Sequence, residues 1–158
     1  RIYGCHQEDD RENTLAVAGL LEQENSIGLH ELAGYFQFQA VSEKVKDSLV
    51  AFLIELKQRG TSVAAYGAAA KGNTLLNFAG IKPDLLPYVC DAAHSKQGKF
   101  MPGSHIPIVS PEKLHETKPQ VVLILPWNIA EEIVMEQALI KSWGGRFVVA
   151  IPEIRYLD

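Results

Sequence analysis

Apolar residues up to about position 60 fall at helical spacing. Leu15, Ala18, Leu20 and Leu21 mark a first segment over 10–24, which ends at the polar break 25–28. Leu32, Phe36, Val41, Val45, Leu49, Phe52, Leu53 and Leu56 then follow at steps mostly of three and four. Residues so spaced share one face, so the pattern predicts a long helix with an apolar stripe. Glu43, Lys44, Lys46, Asp47, Glu55, Lys57 and Gln58 supply its polar side. Arg59 and Gly60 form a conventional stop, a cation in the last turn and a glycine after it. The stripe reads as packing against a sheet or a neighbouring domain. Gly34 with the aromatics Tyr35, Phe36 and Phe38 leaves an interface as the other reading.

From Thr61 onward the pattern becomes short apolar runs separated by helices. Residues 62–66 (SVAAY), 88–90, 106–109, 121–125 (VVLIL) and 147–151 (FVVAI) read as strands. Residues 72–79, 111–115 and 129–143 read as helices, the last with Ile133, Val134, Ala138, Leu139 and Ile140 inward. Strands that are apolar throughout and alternate with helices indicate a parallel sheet covered on both faces. The expected fold is therefore α/β, a Rossmann-like parallel sheet of about five strands covered by helices. Residues 1–60 form an N-terminal linker and helical segment, and 61–158 the Rossmann-like domain.

Composition narrows the class. With 158 residues, 47% hydrophobic and 22% charged, the chain fits one domain with a helical extension and needs no disulfide staples. Fifteen basic residues against nineteen acidic give a net charge of −4, and Lys and Arg are scattered. That disfavours a nucleic-acid partner. Cys5 and Cys90 form no C-x-x-C pair, and His30, His94, His105 and His115 share no metal-ligand spacing, so no metal site is expected. No apolar stretch approaches the ~18 residues of a spanning helix and no signal-peptide pattern opens the chain, so no membrane is expected. A soluble protein of a reducing cytoplasm is the default. Arg1 stands where a translation product has Met, which suggests a piece of something longer.

The candidate chemistry centres on the turn Gly67-Ala68-Ala69-Ala70-Lys71-Gly72-Asn73-Thr74 between the first strand and its helix. As a Walker loop it fails, because Asn73 stands where the phosphate-binding lysine belongs and Lys71 precedes the second glycine. As a dinucleotide-type fingerprint it keeps Gly67 and Gly72, with Ala69 at the middle position. The first glycine permits the turn, the middle one admits a diphosphate, and the last lets helix and strand approach. A methyl group at Ala69 narrows that approach, while the N–H groups at the helix start remain an anion site. Asp91 ends the second strand, where an acid can accept from a ribose. Trp127 and Asn128 follow the fourth strand; Trp127 can stack on a base or sugar, and Asn128 can cap the next helix or bond a ligand. Lys96 and Lys99 lie in a glycine-containing loop where either could meet a phosphate.

The strings AYGAAAKGNTLLN (65–77), VCD (89–91), KQG (96–98), PGSHIPI (102–108) and LILPWN (123–128) closely resemble one family. WGGRFV (143–148) and IPE (151–153) fit it too. It is the C-terminal domain of S-adenosylmethionine-dependent nucleotide-sugar C-methyltransferases. The resemblance implies a domain that helps to bind a dTDP-linked 4-keto-deoxysugar, methylated at C3 by the intact enzyme. A zinc-binding N-terminal domain and a middle domain holding S-adenosylmethionine would precede it, so no cofactor is expected on this chain. It also resembles the family at Tyr3-Gly4-Cys5-His6, a Tyr-x-x-His segment whose His is the base and whose Tyr lies beside the reacting sugar. An imidazole can remove a proton α to a ketone at neutral pH, and a phenol can donate to the developing oxyanion. Two other readings share the fold: a nucleotide-binding module of another sugar-nucleotide-modifying enzyme, and an NAD-dependent oxidoreductase domain.

Overall fold

The computed structural model describes residues 4–157. They fall into two compact units, Arg1–Ala40 and Val41–Asp158.

In the first unit α1 spans Leu15–Ser26 and a single 3-10 turn spans Leu32–Tyr35. No residue of α1 is buried, and its apolar side chains, Leu15, Leu20 and Leu21 among them, are exposed. The long helix expected from position 32 does not form as one piece. The chain folds back between Gly28 and Gly34, where a Cβ on Gly34 would overlap the Gly28 carbonyl oxygen. The Tyr35 hydroxyl fastens the turn by donating to the Leu29 carbonyl at 2.8 Å. Leu32 and Phe36 consequently lie outside the helix, exposed.

The helix proper, α2, runs Phe38–Gln58. Its later turns carry the working part of the stripe: Leu49, Leu53 and Leu56 are buried, whereas Val41 is exposed. The compact second unit begins at Val41, inside α2.

Six strands follow: β1 (Val63–Tyr66), β2 (Val89–Cys90), β3 (Ile108–Val109), β4 (Val121–Ile124), β5 (Arg146–Val149) and β6 (Arg155–Leu157). Their order across the sheet is β3-β2-β1-β4-β5-β6, with the first five parallel and β6 antiparallel to β5. β6 has no strand-like run of apolar residues behind it. It holds through its ladder and through Tyr156, whose ring meets Phe52 edge-on and lies under the Arg146 guanidinium at 3.6 Å.

Alternate residues of the central strands feed two cores, as the period of two requires. Ala65, Leu123 and Val148 meet the α2 leucines and Leu75 and Leu76 of α3 (Ala70–Phe78). Ala64, Val122, Ile124 and Phe147 meet Leu114 of α4 (Glu112–Thr117) and Ala130 and Ile133 of α5 (Ala130–Glu136). The helix expected over 129–143 is divided: α5 gives way to 3-10 geometry over Ala138–Trp143. That change of pitch rotates Ala138 and Leu139 outward and leaves Ile140 buried, correcting the expectation that all three point in.

Leu53→Ala should cost about 2–5 kcal/mol in urea unfolding, because it empties a closed position against the sheet. Leu20→Ala on α1 should stay within about 0.5 kcal/mol of the parent.

Candidate functional site

Strand order reverses between β1 and β4, so the loops leaving their carboxyl ends diverge around a crevice. Two glycines let the chain enter it. Gly67 has φ +90°, and a Cβ there would stand 2.5 Å from Pro126 Cδ. Gly72 faces Leu125, where a Cβ would stand 2.6 Å from the leucine's own. The first sets the turn and the last sets the approach of α3 to β4, the roles their spacing implies. Ala69 is the N-cap residue of α3 in extended geometry, and no side chain caps that helix.

Asp91, buried at the end of β2, binds the loop after β1. Its carboxylate accepts from the Ala68 N–H at 2.7 Å, from the Ala93 N–H at 2.8 Å and from Lys96 Nζ at 3.0 Å. Lys96 also donates to the Ala68 carbonyl, and Gln97 Nε2 to the Asp91 carbonyl. The Ala69 N–H is engaged by the Gly67 carbonyl. Two amides that a dinucleotide loop would turn toward a diphosphate are thus used internally. The anion-binding capacity shifts to the uncapped first turn of α3.

On the other side of the loop, Lys71 Nζ donates to Asn128 Oδ1 and stands 4.5 Å from the centroid of the Trp127 ring. Asn128 does not cap a helix; the residue before α5 is Ile129, with no side-chain cap. Trp127 and Asn128 border a depression of about 330 Å³ together with Glu131, Glu132 and Arg155.

A larger cleft of about 500 Å³ opens on the β2–β3 side. Ala68, Ala69, Asn73 and Thr74 form one wall, and Ser95, Lys96, Lys99, Phe100 and Met101 the other. Asn73 Oδ1 is buried there with no hydrogen-bond partner. The residues expected at the site therefore converge on one rim but divide between two hollows, with Gly67, Lys71, Gly72 and Asp91 as the partition. Sequence reasoning missed Phe100 and Met101. Their only signal was an apolar pair inside an otherwise polar, glycine-containing loop.

The charge of this rim is positive beside the cleft. Lys99 donates to the Ser95 carbonyl and Lys71 to an amide oxygen, both neutral partners, so their charges stay uncancelled by those bonds. The Cys90 thiol is pushed up to about 12 by burial, and burial also raises the Tyr66 phenol, assisted by Glu136 and Asp91. Neither ionises near neutrality, so neither supplies a nucleophile. His94 contacts Gln97 at 3.3 Å and His115 packs edge-on against Trp143. The arrangement offers helix-start N–H groups, lysine ammonium groups and aromatic faces.

His6 is exposed in the first unit, and its carbonyl accepts from the Asp9 N–H. Tyr3 lies outside the described residues. No described helix is long and apolar enough to cross a membrane.

A family profile described as the C-methyltransferase C-terminal domain matches residues 1–152. The C-methyltransferase NovU of Streptomyces niveus is 38% identical over 157 residues, which is 99% of this chain. The chain spans 37% of that relative's length.

Asp91→Ala should destabilise the chain by about 1–3 kcal/mol, since it strands the donors gathered on a buried carboxylate. Amide exchange at Ala68 and Ala93 should accelerate in that variant more than exchange in β4. Equal acceleration throughout would remove Asp91 as the holder of the loop.

Proposed function

The chain belongs to the family of C-methyltransferase C-terminal domains, and from that premise we propose that it holds the substrate of a nucleotide-sugar C-methyltransferase. The substrate is a dTDP-linked 4-keto-deoxysugar, and the intact enzyme methylates its C3. The observation that supports this most is the uncapped start of α3, with Lys99 in a cleft large enough for a nucleoside and Lys71 on the other side of the loop, both charges uncancelled by their neutral partners. A diphosphate gains there from helix N–H groups and from lysine charge, and needs no metal.

S-adenosylmethionine carries a sulfonium and an ammonium. Lys71 and Lys99 oppose it, and Asp91, the acid that would take its ribose, already accepts from three donors. These residues do not fit the methyl donor, which in this reading binds in another part of a longer enzyme. The chain alone would bind nucleotide sugar without methylating it.

The reading gives the amino-terminal segment its chemistry. The ketone at C4 acidifies the hydrogen on C3. His6 takes that proton, and the electron pair flows onto the ketone oxygen to give an enediolate. The Tyr3 phenol donates to that oxygen as its charge grows.

In titration calorimetry with dTDP, UDP, NAD and S-adenosylmethionine, the chain should bind dTDP and leave the methyl donor unbound. Binding of NAD without dTDP would overturn the reading. His6→Asn in the full-length enzyme should lower turnover about a hundredfold or more while sparing methyl-donor affinity. Near-normal turnover would remove His6 as the base.

A further inference from the structure

Phe100 is a large aromatic side chain on a firmly held loop, yet it is 60% exposed. The backbone around it is tied from several sides. Phe100 bridges to Pro107, the Met101 N–H donates to the Ile106 carbonyl at 2.8 Å, and the Ile108 N–H donates to the Lys99 carbonyl at 2.8 Å. Asn77 Nδ2 reaches the Pro102 carbonyl at 2.8 Å and Lys82 Nζ the Gly103 carbonyl at 2.6 Å, which binds the loop to α3 and the segment after it. The ring is therefore presented by a fixed frame and left uncovered.

The cleft beside it is graded in chemistry. Phe100, Met101 and Ile108 are apolar, Ala69 and Ala70 face them, and Lys96 and Lys99 bring charge. A ligand matching that gradient has a flat, weakly polar ring at one end and an anion at the other, as a nucleoside diphosphate has. Bases stack on aromatic rings whatever their sequence identity, because each has a π-face. The second hollow, bordered by Trp127 and Asn128, lies across the Lys71 partition and is lined with Glu131, Glu132 and Arg155. Carboxylates beside an indole suit hydroxyl groups and a sugar face better than they suit phosphate.

We propose that a nucleotide sugar lies across the rim in one direction, with its base in the β2–β3 cleft against Phe100 and its sugar in the Trp127–Asn128 hollow. The diphosphate then crosses the first turn of α3 between Lys99 and Lys71. This orientation rests on the reading of that turn as the diphosphate site and adds the two ends to it. Phe100 is the base platform and Trp127 the sugar platform.

The test compares dTDP, dTDP-glucose and inorganic pyrophosphate on the parent chain, Phe100→Ala, Phe100→Tyr and Trp127→Ala by calorimetry. Phe100→Ala should weaken dTDP roughly 5- to 150-fold, the range of one base–aromatic stack, and leave pyrophosphate unchanged. Phe100→Tyr should restore dTDP binding. Trp127→Ala should weaken dTDP-glucose more than dTDP and so reduce the advantage of the sugar nucleotide. If the parent binds dTDP and Phe100→Ala binds it equally well, the orientation is wrong while the diphosphate reading stands. If the parent binds neither dTDP nor pyrophosphate, the diphosphate reading falls and the orientation with it.

Discussion

The Asp91 carboxylate accepts from the loop after β1, from its own turn and from Lys96, and the form of the rim follows from those bonds. Parallel strands bring β1 and β2 side by side, but nothing in a ladder of hydrogen bonds fixes the loops beyond it. A buried acid with three donors does so, because any donor pulled away would leave a costly buried charge less satisfied. Once Ala68 is drawn to Asp91, Gly67 must turn through positive φ against Pro126, and α3 starts where its first N–H groups face the opening. Lys96 is placed by the same bonds. The acid in the position that would read a ribose thus serves as the fastening of the loop, and the cleft is left between α3 and the 95–101 segment.

The rim offers amides, lysines and aromatic faces, while its thiol and nearest phenol are kept protonated by burial. His6, the base of the proposed reaction, belongs to the first unit.

Much of the second unit is legible in the sequence because both of its periods are clean. Uninterrupted apolar strands alternate with helices, and residues 121–125 read as a strand from their apolar run alone. The failures lie where local geometry overrides periodicity. Gly34 lets the chain fold back against Gly28, so Leu32 and Phe36 share the spacing of the stripe without joining it. A shift to 3-10 pitch after Gln137 turned Ala138 and Leu139 outward, and no residue type there announces it. β6 was invisible because three residues pairing antiparallel at an edge need no apolar run. At the rim, Gly67 and Gly72 were readable from spacing, since only glycine tolerates those approaches. The saturation of Asp91 was not, because it depends on which amides a folded loop presents to it.

Backbone amide mapping by NMR during a dTDP titration reads whether a diphosphate seats at the start of α3. The largest shifts are expected at Ala70, Lys71 and Gly72, followed by Lys96, Lys99 and Phe100, with α2 and β6 silent. Saturable shifts confined to the β5–β6 edge, or none at the α3 start, would contradict that seating.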